Sequence, residues 1–73
     1  MGNEPQLNAR EVLRKLKNFG FEKDRQRGSH IVVRHPDGRS TTVPDHGNKP
    51  LRRGTLRAVI KQSGVDLEEF WKA

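Results

Sequence analysis

Apolar residues early in the chain recur three and four positions apart. Val12, Leu13, Leu16 and Phe19 fall on one side, with Arg10, Arg14, Lys15, Lys17 and Asn18 largely on the other. That period predicts an amphipathic helix. Its start is marked by Asn8, with Glu11 three residues on, the spacing of a capping box. Leu7 and Val12 flank the cap as a hydrophobic staple. Gly20, which enters the left-handed region without a Cβ penalty, marks the stop.

Beyond Gly20 the period shortens to two. Phe21 to Arg25 alternates weakly and reads as a short strand, and Gln26-Arg27-Gly28-Ser29 reads as a turn. His30 to Arg34 is the clearest strand, with Ile31 and Val33 on one face and His30, Val32 and Arg34 on the other. His35-Pro36-Asp37-Gly38-Arg39 has turn-forming order and leads to a third strand, Ser40 to Val43, with Thr41 and Val43 facing inward. Pro44 stops it, since proline donates no ladder bond. After a polar loop from Asp45 to Leu51, a second helix runs from about Arg53 or Thr55 to Ser63. Leu56, Val59 and Ile60 form its apolar side and Gly64 closes it. Asp66 and Glu69 repeat the capping spacing for a last helical turn, too short to stand unless Phe70 or Trp71 packs on the rest.

The predicted class is α+β, in the order α-β-β-β-α, with a three-stranded antiparallel sheet covered by helices on one face and wet on the other. With 73 residues the chain has room for one domain. Residues 7–73 are expected to form it, and 1–6 to be a flexible tail.

Charge narrows the partners. Fifteen lysines and arginines against nine carboxylates give a net charge of +6. Fourteen of the bases and only five of the acids lie between Arg10 and Lys61, so the excess belongs to the folded part. Such a surface favours nucleic acid, where displacing counterions from phosphates drives binding. There is no cysteine, which excludes disulfides and thiolate metal ligation. No apolar run approaches the roughly 18 residues of a membrane span, and the start lacks a signal-peptide pattern. The chain is therefore expected to be cytoplasmic, without a membrane partner.

Candidate chemistry rests on three histidines. Their spacing suits no metal, and no phosphate-cradling glycine loop or dinucleotide fingerprint is present, so no cofactor is expected. His30 opens a strand after Arg27-Gly28-Ser29 and shares the open face with Arg34. An imidazole beside guanidinium groups has what RNA cleavage without a metal requires: a base for the 2'-hydroxyl proton and cations for the charge growing on phosphate. A histidine that merely opens a strand, on a protein that binds RNA without cutting it, is the competing reading. His35 reads as a turn residue. His46 stands where it could reach phosphate or protonate a leaving group, and Ser29 is placed to cap the turn or bind phosphate.

Three stretches carry a resemblance. Arg25-Gln26-Arg27-Gly28-Ser29-His30, Thr42-Val43-Pro44, and Leu51 to Gly64 with its Gly54-Thr55-Leu56-Arg57 core together resemble the HicA family of bacterial and archaeal toxins, over residues 7 to about 70. The resemblance implies a fold like a double-stranded-RNA-binding domain. It also implies an mRNA-cleaving endoribonuclease, acting on single-stranded RNA or mRNA and silenced by a cognate HicB-type antitoxin. It maps the family's catalytic histidine onto His30 and the turn before it onto Gly28 and Ser29. Lys23, Arg27 and Arg34 are the phosphate-holding candidates beside it, and His46 follows the strand-ending proline as in the family. Members often carry a second histidine and an aromatic where this chain has Ile31 and Val33.

Overall fold

The computed structural model describes residues 5–73. Of the expected tail, residues 1–4 lie outside the described residues, and Pro5 and Gln6 are exposed without regular structure. Helix α1 spans Ala9–Lys17 and starts as a complete capping box: Asn8 Oδ1 accepts from the Glu11 backbone N–H at 3.0 Å, and Glu11 Oε1 accepts from the Asn8 N–H at 2.9 Å. Its end is set by Gly20, at φ +95°. The Gly20 N–H donates to the Lys17 carbonyl (3.0 Å) and the Phe21 N–H to the Leu16 carbonyl (3.1 Å), the paired bonds of a Schellman motif. That motif delivers Phe21 straight into the core beside Leu16, so the strand starts one residue later than predicted.

Strands β1 (Glu22–Arg27), β2 (His30–Arg34) and β3 (Ser40–Pro44) form one antiparallel sheet in the order β1-β2-β3. The predicted four-residue turn is tighter in the structure. Arg27 pairs with His30, leaving Gly28 and Ser29 as a two-residue hairpin loop. Gly28 has φ +58° and Ser29 does not have positive φ, which matches a II′ turn with glycine first. Between Lys23 and Arg25 the register slips by one residue, a bulge at Asp24. Pro44 ends β3 from inside the ladder, opposite His30. The bond that closes the sheet there runs from the Asp45 N–H to the Ser29 carbonyl (2.6 Å), so the missing proline N–H is never needed.

Helix α2 (Arg53–Ser63) and helix α3 (Leu67–Lys72) complete the expected order. Ile31, Val33, Thr41 and Val43 leave the sheet on one side and meet Val12 and Leu16 of α1, Leu56, Val59 and Ile60 of α2, and Phe70 of α3, all buried in one core. Thr41 is the polar member, with its hydroxyl 3.1 Å from the Val59 carbonyl and 3.0 Å from Gln62 Oε1. Asp66 caps α3 by accepting from the Glu69 N–H at 3.2 Å. Phe70 is fully buried and so anchors a helix of six residues that has no independent stability. All three helices thus serve one face of the sheet, and β1 lies beyond their cover, exposed at all six positions.

Candidate functional site on the open sheet face

Register assigns side chains to the face the helices leave uncovered. Ile31 and Val33 are buried, so His30, Val32 and Arg34 point the other way. Around His30 the row reads Arg27 on β1, His30 on β2 and Pro44 on β3. The next row reads Arg25, Val32 and Thr42. The third reads Glu22, Arg34 and Ser40, with the bulged Asp24 beside it. His30 is exposed to solvent.

The candidates separate by distance and by face. Arg27 is the direct cross-strand neighbour of His30, and such pairs have Cβ atoms about 4.5–5.5 Å apart. Arg25, which sequence reasoning did not single out as a site residue, is the diagonal neighbour, at roughly 7–8 Å and within reach of a long side chain. Arg34 lies four residues along β2, about 13 Å from His30 at 3.3 Å per residue, and its guanidinium is 3.7 Å from Asp24 Oδ2. It belongs to a different part of the face. Lys23 is on the other side altogether: it pairs with the core-facing Val33, and its Nζ donates to Gln26 Oε1 at 2.9 Å. Gln26 Nε2 in turn donates to the Gly28 carbonyl at 3.0 Å. Lys23 thus braces the hairpin from behind and does not join the group around His30.

Gly28 and Ser29 hold that group in place through the turn. Ser29 also ties the hairpin to the loop after β3 by accepting the Asp45 N–H. His46 lies in that exposed loop, which folds back through the Gly47 N–H bonded to Asp45 Oδ1 at 2.9 Å. It lines an open groove of about 700 Å³ together with Pro44, Lys49, Pro50, Arg52 and Thr55. Pro44 is the shared wall: it is the neighbour of His30 on the sheet and of His46 in the groove. The groove ends at the start of α2, where Arg52 provides no side-chain cap and the first turn holds no acid. The charged side chains that line it are Lys49 and Arg52, and no carboxylate is among its lining residues.

His35 takes no part in the open face. Its ring packs edge-on against Phe21, with centroids 5.2 Å apart, and its Nδ1 accepts the Asp37 N–H at 3.0 Å. It is a structural residue of the β2–β3 turn, as its neighbourhood of proline, aspartate and glycine predicted. Ile31 and Val33 are core positions. Their side chains take no part in the open face. Among the described residues no group of three or more histidine or carboxylate side chains is placed to hold a metal ion, and no helix is long and apolar enough to cross a membrane.

Comparison with known proteins identifies the family. The family described as the HicA toxin of bacterial toxin–antitoxin systems matches residues 9–65, most of the chain. A protein of Pseudomonas fluorescens (strain Pf0-1), named "Probable mRNA interferase HicA", is 40% identical over 55 residues, which cover 75% of this chain and 90% of that protein. Helix α1, the Gly28-Ser29 hairpin and helix α2 all fall inside the matched span. This chain belongs to the HicA family of toxins from bacterial toxin–antitoxin systems.

Proposed function

We propose that the protein is an endoribonuclease that cuts single-stranded mRNA on the open face of its sheet, with His30 as the general base. The observation that carries this reading is the solvent-exposed imidazole of His30 paired across the hairpin with Arg27. A relative named as a probable mRNA interferase supports the choice of substrate. In the proposed reaction neutral His30 takes the proton of a ribose 2'-hydroxyl. The 2'-oxygen then attacks the adjacent phosphorus, the bond from phosphorus to the 5'-oxygen breaks, and that oxygen leaves with a proton from a general acid or water. The products are a 2',3'-cyclic phosphate and a 5'-hydroxyl. Arg27 offsets the negative charge that builds on the phosphate, where a fixed cation is worth most.

Arg25 and the groove that holds His46, Lys49 and Arg52 extend this cationic surface to either side of His30, which suits a strand several nucleotides long. His46 is the candidate within the groove for holding phosphate or protonating the leaving group. Arg34 contacts the strand farther along, and Gly28 and Ser29 act by fixing the turn. A HicB-type antitoxin silences the enzyme in this reading.

The test is end-group analysis. A defined single-stranded RNA is incubated with the purified protein in the presence of a chelator, and the fragments are weighed by mass spectrometry. Cyclic phosphate and 5'-hydroxyl ends support the mechanism. Fragments with 3'-hydroxyl and 5'-phosphate ends contradict it, and binding without any cleavage assigns the protein instead to the non-catalytic RNA-binding class.

A further inference from the structure

The two edges of the sheet differ in kind. The outer edge of β1 carries five charged residues in six and is kinked by the bulge at Asp24. Both are devices that stop another strand from adding to an edge. β3 has neither. Its sequence Ser40-Thr41-Thr42-Val43-Pro44 is uncharged, and it pairs with β2 without a break in register.

The hydrogen-bond phase of β3 is set at both ends, by the Asp45 N–H on the Ser29 carbonyl (2.6 Å) and by the His35 N–H on the Arg39 carbonyl (2.8 Å). In an antiparallel ladder this turns the backbone groups of Thr41 and Val43 toward β2 and those of Ser40 and Thr42 outward. Beside that outward edge runs the flank of α2 that carries Thr55, Ala58 and Gln62, at the border of the core residue Val59. The two enclose an open groove of about 500 Å³ lined by Thr42, Thr55, Ala58, Val59, Lys61 and Gln62. Ala58 is exposed and small, so the helix leaves room for a strand along β3. Lys61 is the charged residue in the lining, on a chain of net charge +6.

We propose that this groove receives an extended, acid-bearing segment of the cognate antitoxin as a fourth strand. Main-chain bonds to Ser40 and Thr42 supply the pairing, as in other cases of strand addition, and a carboxylate of the segment meets Lys61. Charge selects this occupant over a second copy of the chain, because two copies would bring like-charged surfaces and two Lys61 side chains together. An added strand would lie two strand spacings from β2, roughly 10 Å, which puts the antitoxin within reach of the face that bears His30. The inference rests on membership of the toxin family and does not require the nuclease reading.

The experiment uses the toxin co-expressed with its antitoxin and then separated from it. Backbone amide exchange is followed with and without the antitoxin, and affinity is measured for wild type, Ala58→Glu and Lys61→Glu. Glutamate is a good helix former at these exposed sites, so circular dichroism should show both variants folded. Slower exchange at Ser40 and Thr42 in the complex, with a roughly tenfold or greater loss of affinity in each variant, is the expected result. Unchanged affinity in both variants, or protection that appears along Glu22–Arg27 instead, overturns it. So does the same protection produced by a second copy or by RNA alone. The binding readout stands whether or not the protein cuts RNA, so failure of the nuclease reading would be seen separately.

Discussion

Arg27 faces His30 as the first pair of the β1–β2 ladder, because the Gly28-Ser29 turn has no residue to spare. A longer loop would leave Arg27 outside the ladder and remove the guanidinium from the imidazole's side. In the proposed mechanism Arg27→Ala therefore lowers kcat by about 10²-fold, the scale of losing one preorganised group that stabilises transition-state charge. Single-turnover cleavage of a defined RNA checks this. A change confined to KM would make Arg27 a binding residue only.

Arg25 sits one row farther from the imidazole and is expected to behave differently. Arg25→Ala should raise KM with little change in kcat. The slope of log affinity against log salt should fall by about 0.7, the contribution of one phosphate contact on a single strand. Titrating RNA binding at several salt concentrations measures that slope, and an unaltered slope would remove Arg25 from the RNA path.

Gly20 is held by two constraints. Its φ of +95° is strained for any other residue, and a Cβ there would stand 2.8 Å from His35 Nε2. Gly20→Ala should destabilise the fold by more than about 1 kcal/mol. Pairing it with His35→Ala should recover only the part that comes from the clash, since the backbone strain persists. Urea denaturation of the two single variants and the double variant separates the terms. Full recovery in the double variant would show that φ strain plays no part.

How far this architecture can be read from sequence depends on whether residues signal locally. Asn8 with Glu11, and the apolar stripe of Val12 and Leu16, announce α1 through contacts made within a few residues. Ile31 and Val33 do the same for β2 by alternation. β1 has no such signal: Glu22-Lys23-Asp24-Arg25-Gln26-Arg27 is polar on both faces because no helix covers it, so its extent is set by pairing with β2 alone. The bulge at Asp24 then shifts which side chains share a face: parity counted back from Arg27 places Arg25 on the open face correctly, but carried through the bulge it places Lys23 there wrongly. Recognising Gly28-Ser29 as a two-residue II′ turn is the signal that would have found Arg25, two residues back from the Arg27–His30 pair. The groove beside His46 depends on how the loop after Pro44 returns to α2, which no local pattern encodes.

Phe70 joins the last six-residue helix to the core, and Lys15 reinforces it by donating from Nζ to the Ala73 carbonyl at 2.6 Å. Phe70→Ala should reduce global stability by about 3–5 kcal/mol, through lost burial and the cavity left behind. For a domain of this size, that is a large part of the whole. Thermal unfolding measures it. A loss below about 1 kcal/mol would mean that α3 is dispensable to the fold.

Asp37 gives the fold a dependence on acid pH. The Arg39 backbone N–H, 3.0 Å from Oδ1, and then the Arg39 guanidinium, with Nε 2.8 Å from Oδ2, hold its carboxyl below the ordinary carboxylate range. A depressed folded pKa means that the unfolded chain binds the proton more readily. The stabilisation is therefore complete above the unfolded value of about 3.9 and is lost as pH falls through the lower folded value. Asp37→Asn should lower the Tm near neutrality, and the gap to wild type should close as pH drops below about 4. A gap that stays constant from neutral to strongly acid pH would show that this contribution does not come from the carboxylate's charge.

The most direct test of the whole account is the cleavage rate of one defined single-stranded RNA by wild type and by His30→Ala, each shown to be folded by circular dichroism. With His30 as base on the open face, the substitution should slow cleavage by about 10²–10⁴-fold while RNA affinity stays within a few-fold of wild type. Cleavage by the variant at close to the wild-type rate would contradict the assignment and move the reaction to some other group.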